Sequence, residues 1–141
     1  MTRIRSEKGT ALIESAVTIP ILLLISVAIF EFGRAYQTWE VVTNAAREGA
    51  RIAVLEGVTD GDVRTRVNLY LQNGGVPTVA DGSIDVSRGV PLVGTSTASK
   101  VQVNYPFQFI VLNPVVRLVT PGSNTGAPLT MRAAALMRNE Q

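Results

Sequence analysis

The chain has 141 residues, enough for one domain and too few for two ordinary ones. It contains no cysteine and no histidine, which excludes a disulfide framework, a thiolate or imidazole metal site and the commonest general base. Its formal net charge of +2 belongs to the first residues: three of the 13 basic side chains (Arg3, Arg5, Lys8) and one of the 11 acidic ones (Glu7) precede Gly9, and the remainder carries ten of each. The neutral remainder has no basic stripe for a nucleic-acid backbone. Its acidic residues are scattered without paired spacing, so no catalysis, no small-molecule substrate, no metal and no cofactor is expected.

The basic residues 1–9 read as a leader that holds the N-terminus in the cytoplasm. Ala11 to Phe30 is about twenty residues rich in Ile, Leu, Val and Ala, close to the length that crosses a hydrocarbon core at a rise of about 1.5 Å per residue. Residues 10–32 are therefore expected to span a membrane, and residues 33–141 to form an extracytoplasmic domain. Pro20 removes one backbone donor inside this run. Glu14 stands out, because a carboxylate costs roughly 2.5 kcal/mol or more at the centre of a membrane helix. A signal-peptidase cut after Ser26-Val27-Ala28 would fit the small-x-small pattern, but helical periodicity continues past it and Glu14 is left unexplained.

Beyond Phe32 the pattern becomes amphipathic. Ala35, Trp39, Val42, Ala46, Gly49 and Ala53 alternate in fours and threes on one face, with Glu40, Asn44, Arg47 and Arg51 opposite. The spacing predicts one helix from about Thr10 to Leu55, roughly 70 Å long, stopped near Gly57. Glu48 and Arg51 can pair across one turn. A second helix is expected after Asp60, capped by Thr59 or Asp60, with Val63, Val67, Tyr70 and Leu71 on its apolar face and Asn73-Gly74-Gly75 as its end. Arg64 and Arg66 read as its solvated face.

From Ile84 the period becomes two. Ile84 and Val86 form one short strand. Val101, Val103, Tyr105, Phe107 and Phe109 form the cleanest strand, and Leu129, Met131, Ala133, Ala135 and Met137 line the last. Pro106 predicts an edge position or a bulge, while Asp81-Gly82, Val90-Pro91-Leu92 and 94–97 read as turns and loops. Three strands with one apolar face need a cover, and the small-residue face of the long helix is available. The fold class is α+β, a long N-terminal helix packed on a small antiparallel sheet. Between Val101 and Met131 the only charged side chain is Arg117. Val115, Val116 and Val119 in that stretch either pack under a long loop or form a partner surface.

Gly9-Thr10-Ala11-Leu12-Ile13-Glu14 resembles a type IV prepilin processing site. Phe30-Glu31-Phe32-Gly33-Arg34-Ala35-Tyr36 and Thr43-Asn44-Ala45-Ala46-Arg47-Glu48-Gly49-Ala50-Arg51 resemble the TadE-like pseudopilins, minor pilin-like proteins of the tight-adherence (Tad/Flp) pilus machinery. Ala133-Ala134-Ala135-Leu136-Met137-Arg138 is similar to that family's closing strand. Ser15, where small Tad major pilins usually carry Tyr, departs from the main-subunit pattern. The resemblance implies a minor pilin in the inner membrane, cut by prepilin peptidase between Gly9 and Thr10, whose partners are the other pilins and pseudopilins of the same pilus. It also implies that Glu14 meets the new α-amino group of a neighbouring subunit and sets axial register, since a carboxylate in an apolar interior needs a charge partner to stay ionised. An uncut single-span structural or adhesion protein, or the main subunit of a Tad-like filament, are the alternatives.

Overall fold

The computed structural model describes residues 4–92, 96–114 and 128–139. Helix α1 (Ile4–Ala53) is followed by α2 (Asp60–Asn73), a short 3-10 turn (Asp81–Ser83) and strands β1 (Ile84–Pro91), β2 (Thr97–Phe107) and β3 (Leu129–Arg138). The strands form an antiparallel sheet in the order β1-β2-β3. The α+β class read from the sequence is therefore the observed one. The chain divides into two compact units, one drawn from Met1–Arg34 with Phe109–Gly126, the other from Ala35–Gln108 with Ala127–Gln141.

In the second unit, the small residues of α1 do what their size permits. Val42, Ala45, Ala46 and Ala50 are fully buried, and a Cβ on Gly49 would lie 2.6 Å from Val67 Cγ2 and 3.1 Å from Val101 Cγ1. The helix backbone thus meets both α2 and the central strand at Gly49. A second close approach follows at Gly74, where a Cβ would lie 2.5 Å from Val41 Cγ1. The core is completed by Val63, Val67 and Leu71 of α2, Ile84 of β1, Val101, Val103 and Phe107 of β2, and Met131 and Ala133 of β3. Two residues expected on apolar faces lie outside it. Trp39 is 42% exposed while neighbouring Thr38 is buried, and Tyr70 is 37% exposed. A bulky ring has no room where helix and sheet approach on alanine and glycine, so the smaller Thr38 turns inward.

Local sequence chemistry sets the ends of these elements. α1 starts earlier than expected, at Ile4, continues through Pro20 and ends at Ala53, with Gly57 at φ +77° in the turn beyond. Thr59 caps α2 in a reciprocal box: the Asp62 amide donates to Thr59 Oγ1, and the Thr59 amide donates to the Asp62 carboxylate at 2.9 Å. Gly74 follows its last turn. Arg88, unmarked in the sequence, donates to the carbonyls of Ala53 and Val58 and to Asp60, satisfying an open carbonyl at the α1 C-terminus.

The sheet corrects three boundaries. Val90 and Pro91 belong to β1, paired with Ala98 and Thr97, after a register shift between Ser87 and Val90. Gly89, at φ +67°, supplies the left-handed residue such a bulge favours. β2 is the central strand, so Pro106 is not on an edge strand. Pairing with β1 ends at Ile84↔Val103, however, and Pro106 faces only Thr130 of β3, so its missing N–H is tolerated where the strand has one neighbour. Finally, β2 ends at Phe107, and Phe109 packs edge-on against Phe32 with ring centroids 5.9 Å apart.

Candidate functional site

Every residue from Gly9 to Ser26 is exposed, including Leu12 (71%) and Ile13 (69%). The stretch is long and apolar enough to cross a membrane. An apolar helix with no buried side can only be covered by lipid or by other chains. Within it the Ser26 hydroxyl is satisfied locally, Ser26 Oγ donating to the Leu22 carbonyl at 2.8 Å, as an apolar surrounding requires. Gly9, Thr10 and Glu14 all lie within α1. Thr10 and Glu14 are one turn apart and share a face. Glu14 is exposed, and no hydrogen bond or ion pair reaches it among the described residues.

The apolar run contains a second carboxylate with the opposite environment. Glu31 is only 1% exposed. It accepts the Val111 amide at 2.6 Å and the Arg34 guanidinium at 3.1 Å. A carboxylate held by an amide and a guanidinium is satisfied within its own chain, and here it fastens the segment after β2 to α1. Phe32 against Phe109 adds an apolar contact beside it. Sequence reasoning assigned Glu31 no role of its own; the available signal was a carboxylate at the end of an apolar run with arginine three residues on. Val115, Val116 and Val119 lie outside the described residues.

In the second unit several polar and charged side chains tie elements together. Glu48 accepts from Arg51, the expected pair at 2.8 Å, and also from Arg66 of α2 at 2.8 Å. Arg66 is thus half-exposed and tied to α1, not simply solvated. Arg64 reaches the Ile84 carbonyl. Asn68 holds the extended chain after α2 with two bonds to the Val79 backbone. The hydrogen bond from Arg51, with that from Arg66, holds the Glu48 carboxyl down at about 2 against burial, from an ordinary 4.5. Because the folded value is depressed, this stabilisation is complete above pH 4.5 and is lost as pH falls toward 2. Both guanidinium groups are about half in water, so its size is about 1 kcal/mol. Glu48→Gln should flatten the loss of thermal stability over that acid range; an unchanged acid slope would assign it to other carboxylates, such as Asp62 in its capping box. Among the described residues no group of acidic side chains is placed to hold a metal ion.

Residues 9–51 fit the family model described as TadE-like protein. No curated protein and no solved structure matches the chain.

Proposed function

We propose that this chain, whose residues 9–51 fit the family model described as TadE-like protein, acts as a minor pilin or pseudopilin in assembly of a Tad-type pilus. Residues 1–9 are its leader, residues 10–32 its membrane span and residues 33–141 its extracytoplasmic domain, with the N-terminus cytoplasmic and the span in the inner membrane. The observation that carries the reading is the contrast between two carboxylates on one apolar helix. Glu31 has its amide and guanidinium within the chain, whereas Glu14 is exposed with neither among the described residues. A carboxylate left open in an apolar stretch draws its partner from another molecule. The α-amino group exposed at Thr10 by prepilin peptidase is such a partner, on a neighbouring subunit.

The bond to be cut lies inside a helix, since α1 begins at Ile4. Glycine there is about 1 kcal/mol less favourable than alanine, so Gly9 lowers the cost of opening the helix around the cut. Mass spectrometry of the protein from cells with and without the peptidase tests the whole reading. The expected mature terminus is Thr10, with the full precursor accumulating when the peptidase is missing. Met1 in both strains would make the chain an uncut anchor, and Ile29 would make it an exported domain released by signal peptidase. Glu14→Ala should leave membrane insertion intact and reduce incorporation into the pilus complex; unchanged incorporation would sink the pairing role.

A further inference from the structure

Two residues at the Glu31 clasp, Ile110 and Val111, expose their side chains by 64% and 43%. Their height along the helix is fixed, because the Val111 amide is bonded to Glu31. Glu31 lies twenty residues beyond Ala11, a rise of about 30 Å, which is the thickness of a hydrocarbon core. The exposed residues around it on α1 are Ile29, Phe30 and Phe32. Apolar side chains from two separate stretches of the chain therefore stand side by side where the helix leaves the apolar layer.

We propose that the segment around Phe109–Leu112 is a membrane-interface wedge, with Ile110 and Val111 inserted among the lipid chains beside the exit of the span. The inference goes beyond the pilin reading but rests on residues 10–32 crossing a bilayer. Three features fit lipid as the occupant. The patch adjoins exposed apolar residues of the helix, since Phe109 packs on Phe32, itself 61% exposed. From Pro106 to Pro114 no side chain is charged. The Val111 amide, which would be unsatisfied in a lipid environment, is already bonded to a carboxylate, and that carboxylate is neutralised by Arg34, as polar groups near hydrocarbon require. The two ends of the wedge, Phe32 against Phe109 and Glu31 against Val111, tie it to the helix.

Tryptophan fluorescence of the full chain in phosphatidylcholine–phosphatidylglycerol vesicles tests this. Trp39 is the only tryptophan and is removed first by Trp39→Phe. Ile110→Trp and Leu22→Trp are then made separately in that background; both sites are exposed, so neither substitution disturbs a core. Lipids brominated near the headgroup end of the chains should quench the Ile110→Trp variant strongly, and more than lipids brominated at the chain ends. The Leu22→Trp variant should show the reverse order. Ile110→Trp emission that is open to aqueous iodide and unaffected by bromine would overturn the wedge while leaving the span standing. Emission shielded from both quenchers would also overturn it, in favour of a second protein surface. Failure of bromine to quench the Leu22→Trp variant would remove the span itself, and the wedge with it.

Discussion

Gly49→Leu should unfold the helix–sheet unit at temperatures where the parent chain is fully native. A Cβ alone at this position lies 2.6 Å from a methyl of Val67 and 3.1 Å from a methyl of Val101, both fully buried and both on stiff β-branched side chains. Neither can swing aside, so α1 must move away from α2 and β2 together. Overpacking of this kind costs about 1–3 kcal/mol for added methylenes in a packed core, and a leucine at a backbone contact belongs at or above the upper end. Gly49→Ala should cost less, because alanine recovers up to about 1 kcal/mol of helix propensity. Gly33→Ala is the control. A Cβ there meets nothing within 4 Å, so only the propensity gain remains and the protein should become slightly more stable. Thermal melts followed by circular dichroism separate the three. Equal melting temperatures for Gly49→Leu and the parent would mean that α1 does not approach the sheet as described.

Glu31→Ala should release the segment after β2 from α1. The substitution leaves the Val111 amide without its acceptor and Arg34 without its carboxylate. A stranded buried donor costs about 1–3 kcal/mol. Removing one member of a buried pair costs about 3–5 kcal/mol, but Arg34 is 31% exposed and can turn toward water, so the lower range applies. Hydrogen exchange reads the effect directly. The Val111 amide should exchange much faster, while amides at Val67 and Leu71 in α2 keep their protection. Glu31→Gln retains an oxygen acceptor without the charge and should fall between the two. If Val111 exchanges at the parent rate in Glu31→Ala, the carboxylate is not what holds the segment.

These two residues mark where the sequence was readable and where it was not. Gly49 was legible as part of a small-residue face, because helical periodicity repeats within a few residues. Glu31 was written in the same helix, yet its acceptor role depends on Val111, eighty residues on. No local pattern encodes that distance. Arg66 shows the same limit at shorter range: its spacing placed it on the outer face of α2, but its length lets the guanidinium reach Glu48 on another helix. Pro106 was half legible, since a missing donor excludes a two-sided ladder at that point but does not say which strand is central.

Elements whose causes are local were legible from the residues alone: the apolar run with Gly9, Thr10 and Glu14 at its start, the Thr59–Asp62 capping box, the Glu48–Arg51 pair and the alternating strands. Each depends on hydrogen bonds, side-chain size or periodicity within a turn or a strand. Long-range packing set the rest: Thr38 and not Trp39 enters the core, Phe109 leaves the strand to meet Phe32, and Glu31 is bonded within the chain while Glu14 is exposed. Those outcomes depend on which surfaces meet when distant segments close on one another, and that closure is settled by packing volume and by satisfying buried polar groups across the whole chain.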